Sequence, residues 1–192
     1  MKGLLVQLPY YFAWSVGIFA LGVLLGVLVF LFAPGTAEFF LADLAAFAKS
    51  ALDGSAWEVL VFIFINNTVK GLGAVLFGVL FALIPVAFLL INGFMLGIVV
   101  AYAINAAGVL WTAASILPHG VIELPAVFIA TSLGLLLGVH LVKRIRRETS
   151  MPITHVLLDA CRLFVVALVP LFFLASVIEV FITPAVVEML FR

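Results

Sequence analysis

The sequence predicts an all-α protein, a polytopic membrane helical bundle of about five transmembrane helices with one interfacial amphipathic helix. Three observations lead there. The 192 residues are 67% hydrophobic and 9% charged, against roughly 45–50% apolar and about 25% charged in a soluble domain. Mean hydropathy is +1.44. The apolar residues also fall in runs near the ~20 residues that a helix needs to cross a ~30 Å hydrocarbon core. So little polar sequence implies one membrane domain over residues 1–192 and no soluble domain of useful size. A formal net charge of zero gives no footprint for nucleic acid or an acidic substrate. The single cysteine, Cys161, excludes an internal disulfide.

The first span is Tyr10 to Phe32, too long for the core of a signal peptide and therefore a retained helix. Tyr10, Tyr11 and Trp14 mark one interface, and Gly17, Gly22 and Gly26 offer close helix contact. Ala33-Pro34-Gly35 stops this helix. From Thr36 to Gly54, Phe40, Leu44, Phe47 and Ala51 recur at helical spacing among Glu38, Asp43, Lys49 and Asp53, which predicts an amphipathic helix along the membrane surface or across the bundle. It serves either interfacial packing or the docking of a partner. Ser55-Ala56-Trp57-Glu58 fits a capping box that starts the next helix.

From Trp57 to Ala106 the chain is almost continuously apolar, and as one helix it would be about 75 Å long. It must turn once, between Gly78 and Pro85, giving helices near Trp57–Leu80 and Pro85–Ala106. No charge lies between Lys70 and Glu123, so a shallow or protein-buried turn is expected. A connection over Gly108–Leu117 leads to a helix from Pro118, suited to a first turn, to about Val142. Pro125 should bend it. Lys143, Arg144, Arg146 and Arg147 close it and mark the cytoplasmic side, with anionic lipid headgroups as a second use of the same charge. The last helix begins near Pro152, carries Asp159 and Arg162 at pairing distance, and runs through Leu163–Ile182. Together with Lys2, the basic cluster gives a multi-pass cell-membrane protein with its amino terminus cytoplasmic and its carboxyl terminus extracytoplasmic.

The stretch Leu117-Pro118-His119-Gly120-Val121-Ile122-Glu123-Leu124-Pro125-Ala126 places ionisable groups and two prolines in otherwise lipid-compatible sequence. His119 and Glu123, four residues apart, share a helix face. Backbone groups freed at a bend must be satisfied by protein or a wet cavity, so this element should face inward. An ionisable residue within a span costs about 2.5–3.5 kcal/mol on insertion scales, which singles out Lys70, His119 and Glu123. Lys70 either pairs with Glu123 and fixes the bundle, or lines a polar cavity with it. Asn66, Asn67 and Asn92 can bridge helices or bind a ligand. Their Ile-Asn-(Asn/Gly) contexts match, a short hint of pseudo-symmetry. His140, His155, Glu179 and Glu188 read as polar helix ends. The His119–Glu123 spacing can also chelate a divalent metal, although two ligands do not close a zinc site and His-Glu-x-x-His is absent. No other cofactor is indicated, and neither a hydrolase signature, a P-loop nor a Rossmann glycine pattern is present.

Asn66-Asn67, Asn92-Gly93 and Pro118-His119-Gly120-x-x-Glu123-Leu124-Pro125-Ala126 together resemble the stage II sporulation protein M family over about residues 60–142. The resemblance implies a five-helix integral membrane protein, and in spore-forming bacteria a partner of peptidoglycan-degrading proteins during engulfment. It marks Asn66, Asn67, Asn92, Gly93, Pro118, His119, Gly120, Glu123 and Pro125, which with the intramembrane Lys70 make up the expected functional motif. The expected function is a non-enzymatic scaffold, a homodimer in contact with membrane lipid and envelope proteins. The alternative is a transporter or channel subunit with an intramembrane polar pocket.

Overall fold

The computed structural model describes residues 2–51 and 53–192. Among them the chain is helical apart from short turns, and no strand occurs. The elements are α1 (Lys2–Phe32), α2 (Pro34–Ala51), α3 (Ala56–Leu76), α4 (Leu83–Ala107), α5 (Val109–Ile145), α6 (Ile153–Leu163), α7 (Val169–Val177) and α8 (Thr183–Phe191). Two π-helical segments, Phe164–Leu168 and Ile178–Ile182, join α6, α7 and α8 into one rod. Five helices have the length and apolarity to cross a membrane: Gly3–Phe32, Ala56–Val79, Leu83–Ala107, Val109–Ile145 and Ile153–Phe191. The bilayer leaves the backbone no other solvent, so each run closes its hydrogen bonds within itself.

The central helix is α5. Of its apolar stretch 61% is buried, against 22–28% for the other four spans, and every residue from Ala130 to Gly138 is buried. A helix covered on all sides is a core helix; α1, α3, α4, α7 and α8 all pack on it. It starts at Val109 rather than Pro118, and both Pro118 and Pro125 lie inside it. The break from α4 falls instead at Gly108, whose φ of +85° suits glycine. Each proline removes one intrahelical bond, whereas an unwound Gly108–Leu117 would strand many more backbone groups. The helix ends in a Schellman motif: Glu148 N–H donates to Lys143 C=O at 2.9 Å and Arg147 N–H to Arg144 C=O at 3.0 Å, with Arg147 at φ +61°.

The capping box forms as its sequence requires. Ser55 N–H donates to Glu58 Oε2 at 2.7 Å and Glu58 N–H to Ser55 Oγ at 3.4 Å. The turn between α3 and α4 rests one side on α5 through buried Gly78: a Cβ on Gly78 would strike the backbone of Gly134, and one on Gly138 the backbone of Ala82. The chain reverses through a 3-10 turn at Phe77–Val79 and left-handed Phe81 and Ala82. Its Phe77, Leu80, Phe81 and Leu83 side chains are exposed and apolar, as a shallow turn that does not leave the membrane requires, and no charge marks it.

Glycines also set the α1–α4 crossing. A Cβ at Gly22 would lie 2.6 Å from the Leu90 carbonyl oxygen, and Cβ atoms at Gly26, Gly93 and Gly97 would collide with the carbonyl oxygens of Phe94, Phe19 and Val23. Gly17 meets nothing within 4 Å and takes no part. Polar glue joins α1 to α5: Thr131 Oγ1–H donates to Ser15 Oγ at 3.1 Å, and Ser15 Oγ lies 3.2 Å from Ser132 Oγ. The amphipathic α2 leans on the bundle through buried Ala37 and through Phe40, whose ring meets Phe94 edge-on at 5.3 Å. Asp43 and Lys49 are exposed. The side chains of Lys2, Phe47 and Ala51, used in the sequence reading, lie outside those described.

Packing fixes which ends lie together. Gly3, Leu4 and Gln7 of α1 share a cavity of about 440 Å³ with His140, Lys143, Glu148 and His155, so the start of α1 and the basic end of α5 are on one side. His140 also sits 3.0 Å from the Met151 carbonyl through Nε2. At the opposite end Trp57 and Phe181 meet edge-on at 5.6 Å.

Candidate functional site

Three helices bring the polar residues of the spans together. Asn67 of α3 donates through Nδ2 to Glu123 Oε1 of α5 at 2.9 Å, and Asn66 Nδ2 donates to Asn67 Oδ1 at 3.2 Å. The two asparagines therefore form a short chain ending on the carboxylate, and Asn67 is the one that bridges helices. Asn92 turns back on its own helix, donating to the Phe88 carbonyl at 2.7 Å. It nevertheless lines, with Asn67, Lys70 and Glu123, a cavity of about 170 Å³ whose remaining walls are Phe19, Phe88, Leu96, Leu124 and Val127. The sequence pattern thus gathers at one place four residues spread over 57 positions.

Of the two expectations for Lys70, pairing with Glu123 or lining a polar cavity with it, the structure shows the cavity wall and no close ion pair. Among the described residues no ion pair joins it to Glu123; it contributes to the cavity wall while remaining exposed. Because Asn67 faces Glu123 and Ala74 packs on Gly134, α3 and α5 run in parallel, which sets Lys70 near the level of Ala126, midway along α5.

On the other side of Glu123 stand two residues of the last span. Glu179 approaches His119 and Glu123 so that one ligand atom of each lies within 4.8 Å of the others. Thr183, buried, places Oγ1 3.4 Å from His119 Nδ1. The His119–Glu123 face predicted from i, i+4 spacing is present; Glu179, read as a helix end, turns into the interior instead. The reason is length. The helix continues past Ile182 to Phe191, so Glu179 sits well inside the span, within the π segment Ile178–Ile182. Pro184 cannot donate to the carbonyl of Val180, and the widened turn ahead of it absorbs that loss. The apolar run Ala185-Val186-Val187 beyond Pro184 was the signal in the sequence.

The remaining motif residues build the frame. Gly93 is a contact point between α1 and α4. Gly120 is buried, its nearest neighbour to an added Cβ being Ile116 of its own helix at 3.7 Å. Pro118 and Pro125 flank the His119–Glu123 turn within α5. Two carboxylates this close in a poorly solvated interior repel each other strongly, so their stable arrangement requires a proton or a cation between them. One imidazole and two carboxylates are donor types that divalent cations accept.

Comparison with known proteins agrees with the pattern of residues. Neither curated proteins nor solved structures give a match. The family model described as stage II sporulation protein M matches residues 14–184, well beyond the 60–142 core expected from the motifs. Since that match runs from within α1 to the start of α8 and includes Asn67, Lys70, His119, Glu123 and Glu179, the chain belongs to the stage II sporulation protein M family.

Proposed function

We propose that the protein is a membrane scaffold that assembles cell-envelope proteins, working as a homodimer and without chemistry of its own. The observation that carries this reading is exposed Lys70, midway along a membrane-spanning helix and free of any described ion pair. A cation at that depth is costly; Glu123 attracts it across the cavity without closing an ion pair, and a carboxylate from a neighbouring membrane helix would lower the cost further. Exposed Val61, Ile65 and Val69 follow one another at i, i+4 spacing as an apolar strip, on a face of α3 roughly 100° or more around from Lys70. The outer face of α2, where Asp43 and Lys49 are exposed, supplies a second docking element outside the spans. Peptidoglycan remodelling is the corresponding role where the host is a spore-forming bacterium, as the resemblance to the sporulation family suggests.

The test is cross-linking in native membranes with Val69→Cys in a Cys161→Ala background, combined with recovery of partners after mild solubilisation. A cross-linked dimer, and partner recovery that drops with Lys70→Gln, support the scaffold. A strict monomer that recovers no envelope protein overturns it.

A second reading, transport of a small solute or ion, draws on the cavity lined by Asn67, Lys70, Asn92 and Glu123. At about 170 Å³ it is below the roughly 300–1,000 Å³ of drug-sized ligand sites and suits only an ion or a few waters. Labelling of Asn92→Cys by a membrane-impermeant thiol reagent, from both sides of the membrane, supports this reading; protection from both sides removes it.

A further inference from the structure

We infer that His119, Glu123 and Glu179 form a binding site for a divalent first-row metal ion, of the zinc or manganese class. Three observations converge on it. The donor set is one imidazole and two carboxylates with ligand atoms within 4.8 Å of one another, drawn from helices 56 residues apart in sequence. Zinc bonds of about 2.0–2.2 Å put neighbouring ligands at roughly 3.3–3.5 Å in a tetrahedron, so small rotamer changes close the site. Independently, the three lie within membrane-spanning helices, and among the described residues no ion pair reaches either carboxylate. Lys70 attracts Glu123 only across the cavity, so a cation in direct contact is the partner the two carboxylates lack. Finally, each of two ligands is held from behind, Glu123 through Oε1 by Asn67 and His119 through Nδ1 by Thr183. That leaves Oε2 and Nε2 for an ion, the division of labour seen where outer partners orient metal ligands.

The donor types favour zinc or manganese over soft copper(I), which selects sulfur, and over calcium, which takes six to eight oxygens. Three protein donors leave at least one position for water. The π segment Ile178–Ile182 acquires a purpose here, since it aims Glu179 at the pair that α5 already presents. The inference does not depend on the scaffold reading.

Metal binding by the purified full chain, stripped with chelator and freed of any affinity tag, provides the test. Titration with zinc chloride and manganese chloride should give one equivalent per chain, and cobalt(II) should give a visible absorption band that zinc displaces. His119→Gln and Glu179→Gln should each weaken binding at least tenfold, while Glu188→Gln, at an exposed carboxylate, should leave it unchanged. Less than stoichiometric binding by the wild type overturns the site, as do His119→Gln and Glu179→Gln proteins that bind like the wild type. If either variant fails to fold, the wild-type cobalt spectrum decides: a stoichiometric, zinc-competed band supports the site and its absence overturns it.

Discussion

The Asn67–Glu123 bond, at 2.9 Å between α3 and α5, decides most of what substitutions at the site will do. Glu123→Ala removes the acceptor of the half-buried Asn67 amide, a loss toward the lower end of the roughly 1–3 kcal/mol of a buried donor left unpaired. Glu123→Gln keeps an acceptor oxygen and should lose less. In a double-mutant cycle of Asn67→Ala with Glu123→Ala, read from unfolding in mixed micelles, the coupling should be about 1 kcal/mol. That exceeds the roughly 0.6 kcal/mol average of neutral interhelical bonds in membranes, because the acceptor is a carboxylate. A coupling near zero would mean that the two side chains do not meet. Glu179, expected as a polar helix end, faces His119 and Glu123 and its neutralisation should be felt at the site; that of exposed Glu188 should stay within about 0.5 kcal/mol of wild type.

Among the elements, the tightest contact is between α1 and α4, where backbone carbonyls occupy the space that side chains would need. Gly93→Val and Gly97→Val should each destabilise by about 1–3 kcal/mol or more through overpacking, because the clash is with the Phe19 and Val23 backbones rather than with flexible side-chain tips. Gly17→Ala, with nothing within 4 Å, should be neutral or slightly stabilising, since alanine is the better helix former. Thermal unfolding of the three variants in one detergent measures the difference, and equal midpoints would place the crossing elsewhere. Gly93 thus belongs to the frame of the site rather than to its chemistry. Gly71 plays a related part in the core, where an added Cβ would meet the Phe172 ring at 2.9 Å.

At the scale of the whole molecule, the start of α1 lies with the basic end of α5, and Gly54, Gly108 and the end of α8 lie at the other end. With Lys143, Arg144, Arg146 and Arg147 cytoplasmic, single cysteines at Ser150 should react with impermeant reagents only after the cells are opened, whereas cysteines at Gly54 and Gly108 should react in intact cells. The reverse pattern would invert the topology without altering the fold. Much of this architecture was legible in the sequence. Run lengths and hydropathy alone required five helices, because a bilayer accepts a backbone only as a helix or a closed barrel; Ser55 and Glu58 announced the cap of α3 through local bonds, and the spacing of His119 and Glu123 gave their common face. The start of α5 was not legible, since Pro118 suits a first turn and an interior turn alike, and only packing over the whole of Val109–Ile145 makes the longer helix the better one. Nor was the triad complete: Glu179 joins His119 and Glu123 across a distance in sequence that no periodicity spans. Local hydrogen bonding and the transfer of apolar groups from water are properties of neighbouring residues, so the sequence by itself determined the class, the spans and the caps. Which helix is central, that Lys70 faces Glu123 across a cavity and which carboxylate turns inward depend on contacts between distant segments, and these the tertiary structure alone decided.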